Sequence, residues 1–162
     1  MNYRIVELTD YSGEEATIYS IIEEGEQDTI FEKFIAANMA EYKDEIKNIA
    51  QRLYFIGNEV GAREQFFKTK EGKPGDLVSA LYDEPDKHLR LYCVRFGSLA
   101  IIVGGGGAKS TRSWQEDENL SQEVKKMIKV SNDIYQRILS KEITWSSDGK
   151  ELEGNLEFTD DE

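Results

Sequence analysis

Hydrophobic positions along this chain follow two rhythms, a strand-like one at the N-terminus and centre and a helical one between and after them. Residues 3 to 8 (Tyr-Arg-Ile-Val-Glu-Leu) and 16 to 22 (Ala-Thr-Ile-Tyr-Ser-Ile-Ile) are rich in β-branched and aromatic side chains, and the link Thr9 to Glu14 carries turn residues. This predicts a β-hairpin. Asp28 then precedes Ile30, Phe31, Phe34 and Ile35, which fall on one helical face, so Asp28 is the expected N-cap. A second helix is expected after Asn38, because Tyr42, Ile46, Ile49, Leu53 and Ile56 recur at steps of three and four before Gly57 stops the pattern. Two such helices form a hairpin whose apolar stripe needs a sheet to pack against.

The centre returns to strand periodicity. Turns at Lys73–Asp76 and Asp83–Lys87 bracket a strand over Leu77–Tyr82, Leu89–Arg95 alternates, and Gly97-Ser98 reverses the chain into the wholly apolar Leu99–Val103. That last strand belongs in the middle of a sheet, covered on both faces. After Gly104–Gly107 a long helix is expected near Leu120 to Ile138, with Leu120, Val124, Met127, Ile134 and Ile138 inward and Lys125, Lys126 and Lys129 outward. A short hairpin is expected from Ile143 to Trp145 through Ser146–Gly149. Residues 151–162 hold acids and no base, and read as a partly disordered tail. The expected class is α+β: an antiparallel sheet centred on a three-strand meander, packed by an N-terminal helix hairpin and a long C-terminal helix. Residues 1–150 form one domain, the N-terminal β-hairpin being an addition to it, followed by the acidic tail 151–162.

Composition narrows the chemistry. At 162 residues with 39% hydrophobic and 32% charged side chains, one globular domain is expected. No apolar run approaches the roughly 20 residues of a membrane span, and the N-terminus has no apolar core of a signal peptide, which predicts a cytoplasmic protein without membrane contact. One cysteine, Cys93, and one histidine, His88, exclude an internal disulfide and multi-histidine or cysteine-rich metal centres. No cofactor is expected. Net charge is −12, repulsive to nucleic acid at long range. Yet between residues 63 and 112 the basic side chains Arg63, Lys68, Lys70, Lys73, Lys87, Arg90, Arg95, Lys109 and Arg112 outnumber the acids, so a mildly basic centre sits in an acidic frame.

The glycine run does not make a nucleotide site. A phosphate-binding loop requires glycine where Ala108 and Val103 stand, and a dinucleotide fingerprint requires one at Lys109. Either it is a flexible strand-to-helix link, or bare backbone there admits a ligand or another chain. On the strand Leu89–Arg95, Arg90 shares a face with Tyr92, while Leu91 and Cys93 point the other way. His88 at the strand mouth is the one side chain whose ordinary pKa suits proton transfer.

The stretch from Arg63 to Trp114 resembles the RelE/ParE/HigB-like toxins of bacterial toxin–antitoxin pairs, including phage-derived relatives. The resemblance is carried by Phe66-Phe67-Lys68-Thr69-Lys70, Gly72-Lys73-Pro74-Gly75, Leu77–Tyr82, Leu89–Gly97 and the Gly/Lys/Arg-containing loop after Val103. It implies a metal-independent endoribonuclease that cleaves mRNA, often on the ribosome, and is neutralised by an antitoxin protein usually bearing a helix-turn-helix. Carried over by position, Arg90 matches the strand arginine, and Lys109 and Arg112 the basic strand-end positions. Lys68, Lys70, Lys73 and Arg95 would bind the RNA backbone, and His88 or Tyr92 would move protons. The alternative is a non-catalytic module that binds an antitoxin-like partner or inhibits a host enzyme, which the acidic frame favours.

Overall fold

The computed structural model describes residues 1–68, 78–81, 88–109 and 118–159. Strands β1 (Tyr3–Glu7) and β2 (Thr17–Glu23) pair antiparallel. Helices α1 (Ile30–Asn38) and α2 (Lys43–Phe55) follow, and α2 runs into a π-helical turn over Ile56–Val60. Then come β3 (Phe67–Lys68), β4 (Val78–Leu81), β5 (Leu89–Phe96) and β6 (Ala100–Ala108). Helix α3 spans Glu118–Leu139, and the chain continues into β7 (Ile143–Trp145), β8 (Leu152–Gly154) and β9 (Glu157–Phe158).

Seven of these strands make one mixed sheet in the order β3-β4-β5-β6-β2-β1-β9. Its centre is parallel: Thr17, Ile18 and Tyr19 of β2 register with Ala100, Ile101 and Ile102 of β6. The sheet separates two apolar layers. Phe31, Phe34, Ile46, Ile49 and Leu53 of α1 and α2 pack with Ile18, Leu91, Cys93, Ile101 and Val103 on one face. Leu120, Val124, Met127, Val130 and Ile134 of α3 pack with Tyr19, Tyr92, Val94 and Ile102 on the other. Each such side chain, fully buried, contributes about 1.5–3 kcal/mol relative to exposure, which is why β5 and β6 carry apolar residues on both faces.

This architecture overturns the expected α+β arrangement. The sheet is a seven-stranded mixed one, not an antiparallel sheet centred on a meander, and its helices are divided between two faces in a mixed α/β fold. Alternation and turn chemistry define where strands lie but not which strands become neighbours, and the decisive pair, β2 with β6, is long-range. The N-terminal hairpin is accordingly no addition, since β2 is a central strand. The cap of α1 also differs: Thr29, not Asp28, is the N-cap, its Oγ1 accepting from Glu32 N–H at 3.0 Å while Glu32 Oε1 accepts from Thr29 N–H at 2.9 Å. This capping box is worth about 1 kcal/mol.

Two further expectations change. The glycine run is not a link but the second half of β6. Met127, Glu123 and Asn119, successive positions on one stripe of α3, lie on Gly104, Gly105 and Gly107. A Cβ there would come within 2.5 Å of Met127 Sδ, 2.6 Å of Glu123 Oε2 and 2.9 Å of Asn119 Nδ2. The bare backbone admits another part of the same chain. Nor are residues 152–158 a disordered tail: β8 pairs with β7, and β9 pairs with β1 at the sheet edge. No helix among the described residues is long and apolar enough to cross a membrane.

Candidate active site

The start of β5 is held by a buried acid. Glu45 lies in the first turn of α2 and is 2% exposed. Its Oε2 accepts from Leu89 N–H at 3.1 Å and its Oε1 lies 2.6 Å from His88 Nδ1. A buried carboxylate stays in place only with such partners. An ionised carboxylate is acceptor-only, so Nδ1 is the donor of this pair, and in the neutral imidazole Nε2 then carries the lone pair. The His88 side chain is 59% exposed, so the ring is oriented at one end and open to solvent at the other. Tyr42, at the N-cap of α2, stacks on it with ring centroids 5.6 Å apart. Desolvation, then the charges of Glu41 and Glu45, raise the Tyr42 phenol above its ordinary pKa, so it remains protonated at neutral pH.

Two cations join this corner. Leu89 registers with Ala108 and Arg90 with Gly107, and Lys109 N–H donates to the His88 carbonyl at 2.8 Å. His88, Arg90 and Lys109 are thereby brought to one end of the β5–β6 pair. Arg90 is half-buried and Lys109 exposed. The register shifts between Leu91 and Cys93, a bulge that bends β5 just beyond Arg90. Gly106 makes room for it, since a Cβ there would run into the Arg90 carbonyl oxygen.

The other expected site residues lie elsewhere. Tyr92 is 0% exposed and packs beneath α3, so it is removed from any proton-transfer role with a bound RNA. Alternation placed it on the Arg90 face, but it did not reveal that a helix covers that face beyond the corner. Arg95 sits near the opposite end of β5, its Nε donating to the Ala62 carbonyl at 2.6 Å and its guanidinium 5.9 Å from the Phe67 ring centroid. Lys68 is exposed on the edge strand β3, paired with Ala80 of β4. Lys70, Lys73 and Arg112, with the turns at 73–76 and 83–87, lie outside the described residues.

Sequence reasoning missed Glu45. Its signal is an acid on the inner stripe of α2, between Tyr42 and Ile49, where burial calls for a partner. The structure thus holds an oriented imidazole against α2 and brings the backbone of two basic residues, Arg90 and Lys109, to the same end of the β5–β6 pair. No protein-family model, curated protein or solved structure matches this chain.

Proposed function

We propose that the chain cleaves RNA by internal attack of a 2′-hydroxyl at the corner formed by His88, Arg90 and Lys109, as the toxin of a toxin–antitoxin pair. The observation that carries this reading is the 2.6 Å pairing of exposed His88 with buried Glu45, at the end of the β5–β6 pair where the backbone of Arg90 and Lys109 also lies. His88 Nε2 takes the 2′-hydroxyl proton as the 2′-oxygen bonds to phosphorus. The bond from phosphorus to the 5′-oxygen breaks, and that oxygen takes a proton from solvent, leaving a 2′,3′-cyclic phosphate and a 5′-hydroxyl. Glu45 stabilises the imidazolium that forms, and Arg90 and Lys109 stabilise charge on the phosphoryl oxygens. An antitoxin protein, on this reading one with a helix-turn-helix, would neutralise it, and mRNA is the substrate.

The test is growth and transcript integrity in bacteria after induction, comparing wild type with His88→Gln and with Arg90→Ala/Lys109→Ala. Wild type should arrest growth with new mRNA ends, and His88→Gln should cleave about 10²–10⁴-fold more slowly. Arrest with intact transcripts would replace this reading with the protein-binding module. Cleavage undiminished in His88→Gln would remove the histidine from the mechanism.

A further inference from the structure

A second site adjoins that corner along β6 but is built from other side chains. The parallel register ends at Tyr19 and Ile102, and the buried Ser20 Oγ spans the fork by donating to the Val103 carbonyl at 2.7 Å. Beyond it β2 stays with β1 and β6 with β5, opening a crevice of about 320 Å³. β2 leads into α1 on one face of the sheet, and β6 leads on to α3 on the other. A gap at the carboxyl ends of parallel strands whose helices take opposite faces is where open α/β sheets bind ligands. The volume lies at the small end of the range for organic-ligand pockets.

Charge within the crevice is unevenly satisfied. Its walls include Lys33 and Asn38 of α1, Glu23 of β2, and Asn119, Glu123 and Lys126 of α3, over the glycine backbone of β6. Lys126 Nζ is 3.0 Å from Glu23 Oε1, and Lys33 Nζ is 3.2 Å from Glu26 Oε1. Glu123 has no ion-pair partner among the described residues, and its Oε2 is buried against Gly105 without a hydrogen-bond donor. Asn38 Nδ2 donates to the Phe34 carbonyl, which leaves its Oδ1 as an acceptor. An anion would have to draw both lysines from their partners. A cation would meet the one unpaired carboxyl group.

We propose that this crevice binds a small organic cation, a primary ammonium or guanidinium group, on the Glu123 carboxylate with amide oxygens of the crevice wall as additional acceptors. Burial, followed by the Glu23 charge, holds the Glu123 carboxyl above its ordinary range, while Lys126 and Lys33 oppose the shift. Cation binding therefore ionises Glu123 and releases a proton, and affinity rises with pH through the carboxyl's titration.

The experiment is an NMR titration of the full-length isotope-labelled chain with n-butylammonium and n-butylguanidinium chlorides. Butanol, sodium butyrate and a capped lysine peptide serve as comparison probes. The cations should saturably shift the Gly105, Gly107 and Asn119 amides and lower the Glu123 carboxyl titration midpoint. Butanol and butyrate should do neither. Glu123→Gln should weaken cation binding at least tenfold, and Asn119→Ala provides a second, exposed change should the first perturb the fold. A response to butanol equal to that of the cations, a response to butyrate alone, undiminished binding by Glu123→Gln, or no saturation at millimolar cation would each overturn the proposal. Tighter binding of the lysine peptide would overturn the small-molecule assignment in favour of a partner's side chain.

Discussion

Glu45 and Glu123 are both acids drawn inward by amphipathic helices, and their surroundings treat them in opposite ways. Glu45 has the Leu89 N–H and the His88 imidazole. Glu123 keeps one oxygen without a donor, and burial raises its pKa. The sign follows from linkage: below the ordinary carboxyl pKa both folded and unfolded chains carry a protonated Glu123, and no difference arises. As pH rises through the unfolded pKa towards the raised folded one, only the unfolded chain ionises freely, and stability is lost. Glu123→Gln should therefore melt higher than wild type at pH 7. The gain should disappear at pH 4, a crossover that paired calorimetric scans would read directly. Cys93 gives a second residue-scale prediction. It is 0% exposed and burial pushes its thiol up to about 12. It should not react with a thiol reagent in the native state, and its labelling rate in increasing urea should track global unfolding rather than any local opening.

At the scale of elements, the glycines of β6 and of the early turn do different work, and substitution separates them. Gly25 has φ +85° with no atom within 4 Å of a built Cβ, so alanine there meets only the left-handed backbone penalty, about 1–2 kcal/mol. Gly106 faces the backbone carbonyl of Arg90 across the bulge, and neither strand can give way without breaking the ladder. Gly106→Ala should cost about 3 kcal/mol or more, at the upper end of overpacking effects, and should displace His88 and Arg90 from one another. Urea midpoints of the two variants, with the His88 ring shifts as a local probe, test both statements. The element scale is also where the sequence is most readable. The stripes Phe31/Phe34, Ile46/Ile49/Leu53 and Leu120/Val124/Met127 place helices from periodicity alone, because each helix's pattern is local. The glycine run reads as a loop because glycine has no side chain to alternate. Its strand character comes from α3 lying on it, a contact between residues far apart in sequence. Glu45 escapes for the same reason: its helix is readable, but its partner is 43 residues distant.

For the whole molecule, charge and packing give opposite forecasts for the C-terminal segment, and magnitude decides between them. Read as sequence, residues 151–162 carry six acids and no base, so deleting them halves the net charge of −12 and should relieve self-repulsion. Read as structure, the segment closes the sheet. Arg137, 8% exposed, donates from one terminal nitrogen to the Asn155 carbonyl at 2.8 Å and to the Glu157 carbonyl at 2.6 Å. Its guanidinium lies 3.7 Å from the centroid of the Phe158 ring, which stacks on Tyr3 at 4.7 Å. Ile5 N–H donates to the Leu156 carbonyl, and Tyr3 hydroxyl to Asp133 of α3 at 2.7 Å. Truncation after Lys150 strips Arg137 of both carbonyls and its aromatic neighbour, and opens the β1 edge to solvent. Removing partners of a buried charge costs about 3–5 kcal/mol, whereas Glu151, Glu153 and Glu157 are exposed, and surface charges are screened within about 8–10 Å by physiological salt. Packing wins. The truncated chain should unfold at markedly lower urea, and a rise in salt should not restore it. An Arg137→Met change in the truncated chain should recover part of the loss by removing a cation that has lost both carbonyl acceptors. A truncated chain as stable as the full one at low salt would mean that charge relief had matched the packing lost, and that β9 contributes little to holding the sheet edge.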